Sequence, residues 1–273
     1  MTMRVSFVVM LLVLWTAPAH SYVVSVCQDK GPGTTGKAAP TIATFLGHMA
    51  KSMGEDPAAF EGAYLNRRSS CDAHAKANSS VFAVLDADTL LAHRADWQVS
   101  PIAHLGTATQ TVWHVLVREG SLKSLSELEG KVVMSTAPGG ARFVSNLVLD
   151  GAVTPDALKL KGTSKPLKAL RSLARGKVEA AIVDQDAVAA LSELELPVKL
   201  EVLGKSAPLP GLTLAAVQTG ATSAPPALVK SLKGALNHLC EGEGKKLCKT
   251  LGVRGFSPVA SGWWKTLGKR YDR

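Results

Sequence analysis

From Tyr22 to Val217 short β-branched apolar runs alternate with runs of helical periodicity. This alternation constrains the fold more than any other feature, because strands separated by helices lie largely parallel, with the helices covering the sheet. YVVSVCQ (22–28) reads as a buried strand. A loop, DKGPGTTG, then leads to a helix from about Lys37 to Ser52, with Thr34 or Thr35 as cap and Ile42, Phe45, Leu46 and Met49 at helical spacing. FEGAYL is a second strand, SSCDAHAKA a helix, and Val81 to Leu85 a third strand, followed by a helix that Asp88 is placed to cap. WQVSPIAHLG and QTVWHVLVREG read as two more strands.

A second βαβ series starts near Leu122. Ser124–Glu129 is a short helix ended by Gly130, Lys131–Ser135 a strand, and Ala141–Leu149 a helix. DALKLKG is a strand, and the helix after it should turn Leu167, Leu170 and Leu173 inward. VEAAIVD is a strand running into another helix, and VKLEVLG and LTLAAVQTG are further strands. The rest, from Ala224 onward, is helical, with Trp263 and Trp264 packing on the surface of the domain. The fold class is α/β, in two halves.

The first 21 residues stand apart. Arg4, the apolar run Val8–Trp15 and the small residues of Ala17-Pro18-Ala19 and Ala19-His20-Ser21 form a cleavable secretory signal (1–21), far short of the about 20 apolar residues that span a bilayer. Export makes the four cysteines informative. Of the three pairings they allow, the closeness of Cys240 to Cys248 favours Cys240–Cys248 with Cys27–Cys71. The formal charge is +9, but no basic stripe is interleaved with aromatics, so nucleic acid is not an expected partner, and the charge leaves a lean toward anionic ligands.

Chemistry-bearing patterns are few. The histidines show no metal-ligand spacing, so neither a metal nor a cofactor is expected, and no nucleophile elbow or Cys–His pair is present. The exception is VVMSTAPGGARFVSN, where Pro138-Gly139-Gly140 joins a strand to a helix. Unpaired N–H groups at a helix start suit a carboxylate or phosphate, and glycines open the approach. Gly139 and Gly140, the hydroxyls of Ser135 and Thr136, and Arg142 as a charge clamp are candidate ligand contacts. The same loop also reads as a plain tight turn. Gly33, Thr34 and Thr35 after the first strand, Asp86 after the third, and Asp184 after AAIV occupy equivalent sheet edges, where ligands of α/β proteins bind. If Arg142 meets the ligand, Arg142→Ala should cost about 1–3 kcal/mol of anion affinity.

SLSELEGKVV, APGGARFVSNLVLDGAVTPDAL and PLKALRSLARGKVEAAIVD resemble the second lobe of type 2 periplasmic solute-binding proteins, in the phosphonate- and phosphate-binding branch of ABC importers. The order of elements is similar over nearly the whole mature chain. The resemblance implies two Rossmann-like lobes joined by strand crossovers near Thr111–Val115 and Leu212–Val217, with lobe 1 formed by 22–112 and 215–273 and lobe 2 by 113–214. It also implies a monomer in the periplasm that closes over a small solute and presents it to a separate membrane permease. The serine-rich turn of phosphonate binders is replaced here by Pro138-Gly139-Gly140-Ala141, which removes hydroxyl donors and leaves the solute open. No catalytic residue is assigned. An enzyme on this fold would have only Asp184 and Glu61 to work with, and an exported sensor or scaffold is the other alternative.

Overall fold

The computed structural model describes residues 21–31, 33–106, 110–260 and 262–273; apart from Ser21, the expected signal segment lies outside the described residues. The first series comprises β1 (Tyr22–Cys27), α1 (Thr35–Met53), β2 (Phe60–Leu65), α2 (Arg68–Asn78), β3 (Phe82–Leu85), α3 (Ala87–Ala92) and β4 (Ser100–Leu105). After β5 (Gln110–Thr111) come β6 (Trp113–Arg118), β7 (Val132–Ser135), α4 (Ala141–Phe143), β8 (Lys159–Gly162), α5 (Pro166–Ala174), β9 (Ala180–Asp184), α6 (Gln185–Ala189) and β10 (Leu200–Lys205). The chain returns through β11 (Leu209–Pro210) to β12 (Thr213–Ala216), α7 (Pro226–Leu236), α8 (Gly244–Thr250), β13 (Phe256–Pro258) and α9 (Trp263–Tyr271).

These strands make two mixed sheets. One has the order β13-β4-β12-β3-β1-β2 and the other β10-β6-β9-β7-β8. The βαβ units β1–β2, β1–β3, β7–β8 and β7–β9 pair in parallel, as alternation requires. The antiparallel strands flank the points where the chain changes sheets. β12 returns between β3 and β4, and β6 lies between β10 and β9. A two-stranded ribbon, β5 with β11, carries both crossings side by side. On the return, Thr213 of β12 pairs with Leu85 of β3.

Local sequence explains most elements. Ile42, Leu46, Met49 and Ala50 bury one face of α1, and Gly54 at φ 77° ends it in the left-handed turn that glycine favours. On α5, Leu170 and Leu173 are buried, but Leu167 is 38 % exposed: the helix begins at Pro166, so Leu167 falls in its first turn, off the inward face. Asp86, not Asp88, caps α3, accepting from Thr89 N at 2.8 Å. The helix expected over 141–149 is regular only to Phe143 and continues as a π turn, Val144–Val148, with Leu149 N bonded to Val144 O at 2.8 Å. Within it the buried Ser145 donates to Val153 O, and Asn146 Nδ2 donates to Tyr271 O at 3.0 Å. These demands on two buried polar side chains accompany the departure from regular pitch.

Both expected disulfides are present. Cys27–Cys71 fastens the end of β1 to α2, and Cys240–Cys248 closes the turn between α7 and α8, with Cα separations of 5.7 and 5.6 Å. Trp263 meets the His104 ring edge-on at 5.1 Å. His104 is buried, with Nδ1 3.0 Å from Thr213 Oγ1, and burial lowers its pKa. Burial also lowers that of His74, against the opposing charge of Glu61.

A depressed histidine pKa contributes stability that is present above the unfolded value and lost as pH falls toward the folded one. Melting temperature should therefore fall as pH drops below 6.5, the ordinary histidine value, and His104→Gln should reduce that slope. A slope identical in the variant would contradict the assignment to His104. Replacing both Cys27 and Cys71 by Ala should lower stability by about 2–5 kcal/mol in a urea titration.

Candidate functional site

The C-terminal ends of β1 and β3 face those of β7 and β9 across a cleft of ≈ 320 Å³, floored by Thr111 of β5 and Pro210 of β11. From the first sheet come Gln28, Asp29, Lys30 and Asp86. From the second come Trp113, Thr136, Ser164 and Asp184. Open α/β sheets bind ligands at such edges.

Two of the carboxylates also organise backbone. Asp86 is 4 % exposed and accepts from Thr89 N at 2.8 Å and Asp29 N at 2.9 Å, which fixes the β1 loop to the start of α3. Burial raises its pKa, with the neighbouring Asp88 charge adding to the rise and the two N–H groups opposing it. Asp184 accepts from Ala187 N at 2.8 Å as the cap of α6, and remains half-buried at the cleft wall. Thr136 donates its hydroxyl to Ile182 O at 3.2 Å.

The Gly-Gly turn is met by the chain itself. Gly139 has φ 80°, and a Cβ there would overlap the Asp88 carboxylate. Asp88 in turn accepts from Arg68 and, at 2.8 Å, from the Tyr271 hydroxyl. Lys30 Nζ donates to Gly139 O at 2.7 Å and Ala137 O at 3.4 Å. Lys30 and Asp88 belong to the first series of elements and Gly139 to the second, so this cluster joins the two series, and through Lys30 it reaches the cleft wall.

The structure thus brings Asp86, Thr136 and Asp184 together and places the other candidates elsewhere. Ser135 is fully buried and its Oγ accepts from Ala137 N at 3.0 Å. Gly140 caps a three-residue helix at an exposed position. Arg142 is exposed, its guanidinium 5.8 Å over the Tyr271 ring, outside the cleft lining. Gly33, Thr34 and Thr35 are exposed at the start of α1, where Gly33 O accepts from Asn66 Nδ2. Sequence reasoning missed Lys30, Arg68, Trp113, Ser164 and Tyr271. Lys30 was within its reach, being three residues past the first strand, whereas Tyr271 reaches Asp88 across 183 positions with no local signal. Among the described residues no His, Cys, Asp and Glu group could hold a metal ion.

Two α/β units that meet at their strand ends across a double crossover form a bilobed binding protein. The family described as phosphonate-binding periplasmic substrate-binding proteins of ABC transporters matches residues 62–264, and the chain belongs to it. Solved structures of the same fold include Xanthomonas citri XAC2383 bound to ATP, with TM-score 0.66 and 12% identity over 93% of this chain and 98% of that one. PhnD1 from Prochlorococcus marinus in complex with methylphosphonate superposes with TM-score 0.61 and 11% identity, covering 92% and 97%. A binding protein component of an ABC phosphonate transporter from Pseudomonas aeruginosa gives 0.58 and 14%, covering 92% and 88%. No curated protein matches the chain in sequence.

The two adjacent glycines should respond differently to alanine. Gly139→Ala combines a left-handed φ with a clash against Asp88 and should cost about 1–3 kcal/mol. Gly140→Ala meets open space at φ −102° and should stay within about 0.5 kcal/mol. Equal effects in denaturant titrations would refute the Asp88–Gly139 contact.

Proposed function

We propose that the protein is exported through a cleavable signal at residues 1–21, acts as a monomer without nucleic acid, and captures a small polar solute between its lobes for an ABC permease. The lobes are taken as the two sheets with their helices, joined by the β5–β11 ribbon. A cleft at the facing strand ends, floored by that ribbon, is the observation that carries this reading. Solute touching both walls favours the closed arrangement, because only there are both sets of contacts made.

The lining bears on which solute is taken. Asp29, Asp86 and Asp184 set three carboxylates against one ammonium, and the Lys30 ammonium already serves two carbonyls and lies 3.8 Å from Asp29. A solute with an amine or other donor group suits these walls better than a bare anion, and the Trp113 ring beside Asp184 suits a cation. Arg142, packed on Tyr271, is left out of the ligand set, and Asp86, Thr136 and Asp184 are kept in it. Among the described residues no side chains in the cleft pair as an acid and base around a reacting centre, which favours binding over catalysis.

A melting-temperature screen of amines, amino acids, aminophosphonates, phosphonates, phosphate, sulfonates and carboxylates tests this. One amine-bearing class should stabilise the protein saturably and be recovered unchanged. Asp184→Asn should then weaken that compound by about 1–3 kcal/mol, the usual worth of a charge-assisted hydrogen bond. Chemical conversion of the compound, or stabilisation by bare anions alone, would overturn the respective part of the reading.

A further inference from the structure

A second cavity lies inside the first lobe, between its sheet, helices α1 and α7, and the segment that follows α8, with a volume of ≈ 120 Å³. We propose that it is a binding site for a small uncharged apolar molecule of about benzene size. The sheet supplies Val26 and Val84, α1 supplies Phe45 and Met49, and Leu236 and Leu251 close the far side. Among its lining residues only Gln28 and Tyr64 carry polar side chains, and none carries a charge.

Its position is unusual for a packing void. β1 and β3 are interior strands of the six-stranded sheet, where alternate residues share one face. On that face Val24 and Phe82 are 2% and 0% exposed beneath the helices. Two residues further on, Val26 and Val84 stay partly exposed, since the cavity separates them from the helices. Apolar surface on interior strands is thus open to a guest. Water is a poor occupant of walls that offer it polar side chains only at Gln28 and Tyr64, whereas apolar cavities of about 150 Å³ stay dry and take benzene. The absence of charge from the lining excludes ions and leaves size and apolarity as the selective features. Gln28 and Leu212 line both this cavity and the interlobe cleft, so a guest here touches the wall of the solute site.

The test uses the protein purified from the periplasm, with benzene as probe and methylammonium as charged control. Benzene at ten times its Kd should raise the melting temperature by about 2–4 °C, and methylammonium, whatever it does at the interlobe cleft, should leave the methyl signals of the cavity lining unshifted. Methyl carbon–proton spectra should show saturable benzene shifts confined to residues such as Val26, Val84, Leu236 and Leu251. Val84→Phe, which fills the space, should abolish the response, and Leu251→Phe fills it from the opposite wall should the first variant fail to fold. The absence of a saturable shift in the unaltered protein up to benzene solubility would overturn the proposal. So would shifts of equal size at the exposed Val202 and Val198.

Discussion

The buried Asp88 carboxylate organises the meeting of the two lobes. It sits 2% exposed between Arg68 and the Tyr271 hydroxyl, with Gly139 of the opposite lobe against it. An unpaired charge at that depth would be strongly unfavourable, so its partners are obligatory. Burial, reinforced by the Asp88 charge, raises the Tyr271 pKa far above the phenol range, so the hydroxyl stays a donor at any physiological pH. Only a residue without a Cβ lets the turn approach the carboxylate, which gives Gly139 a structural reason beyond its φ angle.

From this contact the C-terminal helix acquires its role. α9 carries Tyr271, whose carbonyl takes the Asn146 amide from the other lobe, while Arg142 lies over its ring. Arg270 and Arg273 reach Asp150, but these pairs are largely exposed and add little. Buried residues of both sheets join one apolar cluster that includes Leu267 and Tyr271. α9 is therefore a strap between lobes that the β5–β11 ribbon alone would leave free to swing. Lys30, bonded to the carbonyls of Ala137 and Gly139, is a second tie across the gap. Solute binding adds to an arrangement that these ties already favour.

The legible parts of the fold were those set by local pattern. Alternation located the βαβ units, cysteine spacing located both disulfides, and apolar runs ending in Asp86 and Asp184 located two walls of the cleft. Patterns that depend on distant partners were not legible. Pairing β12 between β3 and β4 is a long-range choice that leaves no trace in its own four residues. Ser135, Thr136 and Arg142 look alike as donors beside a glycine turn, yet only Thr136 lines the cleft, because strand alternation turns Ser135 inward and Arg142 finds Tyr271. Asp88 reads as a helix cap until Arg68 and Tyr271 are seen to converge on it.

On this account two lobes close over one solute about the β5–β11 ribbon. Closure is tested most directly by spin labels on introduced cysteines at the exposed positions Ala43 in one lobe and Val202 in the other, since among the described residues there is no free cysteine to compete. Pulsed dipolar spectroscopy should show the distance distribution narrowing and shortening on addition of the stabilising solute. A distribution unchanged by a saturating solute would contradict closure as the mechanism of capture.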